Sequence, residues 1–513
     1  MHCLASASGK ASRIVIFVIC FVALVVAAWP PIHAAARHAK AGPDWPQWAR
    51  TPQHTGATPA TGHVPTKQLA DITFDPFVSQ EQAETYGDLL AHYQVPLVDG
   101  NKVFLEIKTG AYISCNPPGS GQPYPCGPDA WNSEIWNERA FAWRNGSLVE
   151  VWNFQTGWKP EPNSGAAGFG VGLYGWEPVF HSAISNGYVF VPGFSGSIYK
   201  LKQSDGKLVA HYSPFGNDAS TFVSGPLTVD QHGNVYYNAV ALDPTNPWTV
   251  DVRGAYLVKV TRGGAVRMVS YSTLVQGTPD CGNPTYVGSQ RPGINIAPAI
   301  SADGKTIYAV SRSHFYTEYA CMEAVHANLT PIWHASFQLS TLTGDVSDLS
   351  SSTPSVAPDG SVLYGATSDS SSRGNMLKFS SSGQFLTSYD FGWDETPAIY
   401  AHDGTYSVII KDNYYDTGGP YYITQLSADL VPEWQFQSSD NYEWCVNAPA
   451  VDANGTIYVD SEDGNVFVIN QGGTLKGELF LRHAIGAAYT PIALGRDGKI
   501  YTENDGDMFV VGN

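Results

Sequence analysis

From Pro96 onward the chain is written in short runs of alternating apolar and polar positions, and one arrangement of them recurs. It reads "PLVDGNKVFL" at Pro96, "SAISNGYVFV" at Ser182, "PLTVDQHGNVYY" at Pro226 and "PAISADGKTIYA" at Pro298. It returns as "PSVAPDGSVLYG" at Pro354, "PAIYAHDGTYSV" at Pro397, "PAVDANGTIYVD" at Pro449 and "PIALGRDGKIYT" at Pro491. Each copy is an apolar strand, a turn built on Gly with Asp or Asn, and an alternating strand, which predicts a β-hairpin. A third apolar strand follows, as in "IYKL" from Ile198 or "VFVI" from Val466, and then a fourth that is often aromatic, as in "LVEVWNF" from Leu148 or "VPEWQF" from Val431. No stretch carries a convincing helical period. Four antiparallel strands in eight copies predict an all-β fold, an eight-bladed β-propeller.

The eighth copy ends at Gly512 and Asn513, one strand short. The stretch "LADITFDPF", from Leu69 to Phe77, has the alternation needed to supply that strand beside Met508–Val511 and close the ring, which removes two exposed sheet edges. The expected organisation is a signal peptide at 1–36, an entry segment at 37–68 and one propeller at 69–513. The entry segment reads "DWPQWARTPQHTGATP" from Asp44, and "DGKLVAHY" from Asp205 ends on Tyr212. These phrases resemble the entry motif and the D-x-x-T-G-K-x-x-W repeat of the PQQ-like, or quinoprotein alcohol dehydrogenase-like, eight-bladed propellers, with Tyr212 where Trp is usual. The resemblance implies the architecture; that superfamily holds both dehydrogenases and scaffolds without catalysis.

Composition narrows the partners. Forty-six acidic against 28 basic residues leave a net charge of −18, a field that repels phosphate backbones and anionic membrane surfaces. Lys10 and Arg13 precede an apolar run from Ile14 to Ala28, and Ala34 and Ala36 offer a cleavage site after Ala36, so export with cleavage is expected. Cys20 follows Ile19 where a lipoprotein signal needs a small residue. The exported chain keeps Cys115, Cys126, Cys281, Cys321 and Cys445. Loop positions pair Cys115 with Cys126 and Cys281 with Cys321, leaving Cys445 as a thiol.

In a propeller the loops entering each blade, and those between its second and third strands, open on one face. Insertions fall in these two sets almost throughout, so that face is the expected site. Gly170, Gly172 and Gly175 spell a dinucleotide fingerprint in "GAAGFGVGLYGWEP", but Glu177-Pro178 and another hairpin follow where a helix is required, and the nucleotide reading fails. The rim loops carry Trp176, Glu177, Asn295, Trp393, Asp394, Glu395, Glu443, Trp444, Arg482, His483 and Tyr489. Aromatic faces with carboxylates, amides and an Arg–His pair suit a polyhydroxylated or peptide ligand at the channel mouth; packing between blades is the other use of such aromatics.

Three functions are open at this point. The first expectation is an exported, monomeric binding or scaffold propeller for a carbohydrate or protein, with no cofactor and no nucleic acid or membrane partner. The resemblance also implies a PQQ- and Ca-dependent dehydrogenase of alcohols or sugars. Against it, the sequence has neither the adjacent Cys-Cys pair common in catalytic members nor a C-x-x-C-H haem motif. A polysaccharide lyase or hydrolase is the third, with Arg482, His483 and Tyr489 the nearest set to a catalytic constellation.

Overall fold

A computed structural model describes residues 44–84, 94–113, 133–161, 180–276, 281, 284–340, 342–348, 352–367, 373–392, 395–414, 418–461, 463–482 and 490–513. Eight antiparallel sheets form the eight blades. Blade 1 runs Leu97–Asp99, Lys102–Gly110, Glu134–Arg144 and Ser147–Gln155, and the other seven repeat the order, with the inner strand of blades 3 and 4 broken into two pieces. The tight hairpins use the predicted chemistry. Asn186 and Gly187, at φ 52° and 80°, both take the left-handed region that a two-residue turn matching strand twist demands. Third and outer strands slip register in seven of the eight blades, a bulge that adds twist to each sheet.

Ring closure follows the expectation with shifted bounds. The closing strand is Lys67–Thr73, paired from Lys67↔Gly512 to Thr73↔Asp507. Beyond it, Phe74 and Asp75 bond the carbonyl of Gly506, and Val78–Glu84 is a short helix. With Tyr271–Leu274 and Pro284–Val287 it is one of three short α-helices among the described residues that periodicity does not reveal. Each is too short to show a 3.6-residue repeat.

Blades lock to one another through aromatic rings laid on glycines. The Trp152 indole of blade 1 lies where a Cβ on Gly206 of blade 2 would meet it at 2.7 Å, and its Nε1 donates to the Gln203 carbonyl. Trp333 of blade 4 repeats this on Gly383 of blade 5, donating to Ser381 O at 2.9 Å, and Trp434 of blade 6 lies on Gly473 of blade 7. Tyr212 lies on Gly264 of blade 3 in the same way at 3.3 Å. The glycine of the repeated phrase is therefore required by close approach, and the aromatic residue is its partner in the neighbouring blade.

The inner strands present N–H groups to the central bore, and the entry segment meets them. Val98 of blade 1 exchanges bonds with Trp45, and Ile184 of blade 2 donates to Pro46 O at 2.7 Å. Val229 of blade 3 donates to the Gln47 side chain at 2.7 Å. Ile300, Val356, Ile399 and Val451, of blades 4 to 7, donate to the carbonyls of Pro52, Gln53, Thr55 and Gly56. Arg496 of blade 8 pairs with Asp44. One segment thus touches all eight blades, and Arg50 clasps its two ends by donating to Asp44 O and Ala57 O. Buried backbone donors are costly to leave unmet, so this segment finishes the hydrogen bonding of the ring's inner edge.

Candidate functional site at the elaborated face

Trp48 and His54 project from the entry segment into the bore. Trp48, 1% exposed, donates through Nε1 to Thr396 Oγ1 of blade 6 at 3.2 Å and sets its ring edge-on to His181 of blade 2 at 5.5 Å. His54 Nδ1 lies 2.8 Å from Pro354 O of blade 5, and Nε2 lies 3.3 Å from Thr228 Oγ1 of blade 3. Complete burial lowers the His54 pKa to about 4 and that of His181 to about 3, so both are neutral at pH 7.

Nearer the elaborated face Thr353, Thr396, Asn447 and Thr490 stitch blades 5 to 8 in succession. Thr353 N–H donates to Thr396 Oγ1, Thr396 N–H to Asn447 Oδ1, and Asn447 N–H to Thr490 O. Carboxyl groups are buried close by. Glu138 accepts from Ser182 Oγ at 2.6 Å, and Asp460 accepts from Thr502 Oγ1 at 2.7 Å. Burial raises both to about 8 and lifts Glu503 well above the ordinary carboxylate range, with Glu106 adding repulsion at Glu503. These groups hold their protons at neutral pH. No motif marks them in the sequence. The one signal is an acid at the fourth place of a strand phrase that opens with Ile and an aromatic residue, as in "IWNE" at Glu138, "IYVD" at Asp460 and "IYTE" at Glu503.

Trp176, Glu177, Trp393, Asp394, His483 and Tyr489, and the pair Cys115–Cys126, lie outside the described residues. Trp444 is corrected to a packing residue. It is fully buried between blades 6 and 7, edge-on to Phe467 at 5.3 Å and tilted against Phe436 at 6.2 Å, so its ring offers no face to a ligand. Arg482 is likewise placed away from the bore. It is paired with Asp507 and reaches Asp71 of the closing outer strand at 3.7 Å. Glu395 is buried and accepts from Lys411 N–H at 2.7 Å, while Glu443 accepts from the Cys445 thiol at 3.7 Å. Asn295 is buried at φ 64°, in a loop pressed against Gly225, where a Cβ would meet its carbonyl carbon at 2.9 Å. Cys281 and Cys321 are bridged, with Cα atoms 5.6 Å apart, and Cys445 is a buried thiol outside that bridge.

An open cavity of about 470 Å³ lies elsewhere on this face, between blades 2 and 3. Its walls are residues 193–195 of blade 2, residues 219–222 where the chain enters blade 3, and residues 242–245 with Pro247 of blade 3. Lys159 and Pro160, from the chain leaving blade 1, complete it. Every wall belongs to one of the two loop sets that open on the elaborated face, or to the strand that begins there.

No family model and no curated protein matches the sequence. Solved structures do match the fold. A europium-containing methanol dehydrogenase is 12% identical, with 89% of each chain covered and a TM-score of 0.55. The quinohemoprotein alcohol dehydrogenase from Comamonas testosteroni is 12% identical over 93% of this chain and 82% of that one, with a TM-score of 0.57. The fold is that of the PQQ-like propellers. At such identities the likeness is one of fold, and activity has to be argued from this chain's own residues. Among the described residues no three His, Cys, Asp or Glu side chains cluster to hold a metal ion.

Proposed function

We propose that this PQQ-like propeller is an exported binding module that holds a carbohydrate or protein ligand on its elaborated face. The observation that supports the reading is the open cavity between blades 2 and 3, set against a bore that the entry segment crosses. One level is crossed by the entry segment, with Trp48 bonded to blade 6 and His54 to blades 5 and 3, while the loops of the elaborated face leave an open cavity. Ligand sites on rigid scaffolds gather in such loops. The test is dye-linked oxidation of a panel of alcohols and sugars after incubation with PQQ and Ca²⁺. A binding module reduces no dye above the protein-free control; dye reduction that tracks PQQ uptake would overturn the reading.

The second reading is a quinoprotein dehydrogenase. The named activities of the two fold neighbours favour it, and the same assay decides between the two.

A further inference from the structure

The loop at the wall of the cavity between blades 2 and 3 is unusual in its backbone. Gly193-Phe194-Ser195-Gly196-Ser197 makes a single tight turn in which Ser195 sits at φ 57°, ψ 40°, a left-handed conformation that costs an L-residue energy. The turn is over-determined. Tyr237 Oη donates to Gly196 O at 3.0 Å, Ser197 Oγ donates to Phe194 O at 2.6 Å, and His211 Nε2 lies 2.9 Å from the same Oγ. A Cβ on Gly196 would meet the Phe215 ring at 2.8 Å and the Thr221 methyl at 2.9 Å. Rigid surroundings therefore hold a strained serine in place.

Two further features single it out. Ser195 is 4% exposed, and its Oγ has no hydrogen-bond partner among the described residues. Phe194, beside it, is left 41% exposed on the protein surface. A buried hydroxyl without a partner and an exposed aromatic ring are each unfavourable in an empty protein, and both become favourable when a ligand covers them. The charges at the wall are one of each sign. The Asp243 carboxylate is held by the N–H groups of Thr245 and Asn246, and the Lys159 ammonium is turned over the Trp136 ring at 5.3 Å. Neither sign dominates, so the cavity does not select an anion. Its volume falls in the range of small-molecule sites.

We propose that this cavity binds a neutral saccharide, with the Phe194 ring against the apolar face of a sugar and the Ser195 hydroxyl bonded to a sugar hydroxyl. The proposal rests on the binding reading above and narrows it to one site and one ligand class. The experiment titrates the full chain with neutral gluco-, galacto- and manno-oligosaccharides by calorimetry, alongside Phe194→Ala and Ser195→Gly. Wild type binds at least one of them, and Phe194→Ala weakens that binding about three- to ten-fold. Ser195→Gly relieves the left-handed strain, so its melting temperature holds or rises while its affinity falls. A role confined to structure would move the melting temperature and leave affinity alone. Saccharide binding indifferent to both variants overturns this site and leaves the binding reading standing. No binding of any neutral saccharide overturns the ligand class, and dye reduction with PQQ overturns the broader reading on its own.

Discussion

The two levels of the bore solve the same problem in opposite ways. A propeller's inner strands leave one edge of every sheet facing the axis. At the level of the entry segment those edges are met by backbone and amide groups of residues 45–58, and Trp48 and His54 each bond a blade across the bore. Nearer the mouth Thr353, Thr396, Asn447 and Thr490 link blades 5 to 8, with Glu138, Asp460 and Glu503 buried and protonated. The first level is built for stability and the second tolerates groups that cost stability. Buried polar groups of that kind are kept where something other than folding selects them.

The contrast is sharpest at Trp48. Its indole is buried on the axis and bonded across to blade 6, so Trp48→Ala leaves a cavity and takes a donor from the Thr396 hydroxyl. Truncating a buried Trp costs about 3–5 kcal/mol. Phe194→Ala at the elaborated face removes a ring already 41% exposed, and such surface changes stay within about 0.5 kcal/mol. Urea unfolding of the two variants measures both. Equal losses would show that the entry segment is a passive filler rather than the element that ties the eight blades.

A second, smaller effect is a pH dependence whose sign differs between the buried carboxyls and the buried imidazoles. Glu138 and Asp460 have folded pKa values of about 8, above their unfolded values. Their contribution is complete below the unfolded pKa and is lost as pH rises through 8. His54 and His181, at about 4 and 3, work the other way, with stability present above the unfolded histidine value and lost as pH falls. The two slopes overlap in mild acid. Between about pH 6.5 and 8 the carboxyl slope dominates, because unfolded His is increasingly neutral there. Stability therefore falls across that window, by about 2 kcal/mol for each such group. Glu138→Gln flattens its share when melting is followed against pH. An unchanged slope would show that Glu138 is solvated by water and ionises normally.

The scaffold is legible in the sequence and the site only partly so, for a physical reason. Hairpins announce themselves because a left-handed turn needs Gly, Asn or Asp, and the inner strands need apolar alternation. Asn186-Gly187 and the strand at Lys67–Thr73 can be read in that way. Cys281–Cys321 follows from two loops on one face. The role of "DWPQWARTPQHTG" is invisible, because hydrogen bonds from a coil segment to eight separate strands leave no periodic trace. Trp444 misleads for a related reason. A tryptophan in a rim loop has the same letter whether it faces ligand or Phe467, and only packing tells them apart. Ser195 leaves no mark at all, because its signal is a backbone angle.

The smallest effect concerns Arg482, and it separates charge at the rim from charge on the axis. Its side chain is 46% exposed and pairs with Asp507 and, more distantly, Asp71. The protein is acidic, and burial raises the Asp507 pKa while Arg482 pulls it down. Half-exposed pairs contribute little after solvent screening and side-chain entropy, so Arg482→Met is expected to cost about 0–1 kcal/mol, less at high salt. Glycan affinity at the cavity between blades 2 and 3 should not change, because Arg482 belongs to the outer rim of blade 8. Melting curves in low and high salt, with a parallel titration, check both halves. A salt-independent loss of several kcal/mol would place Arg482 in the core network instead, and a loss of saccharide affinity would return it to the ligand site that its rim-loop position predicted.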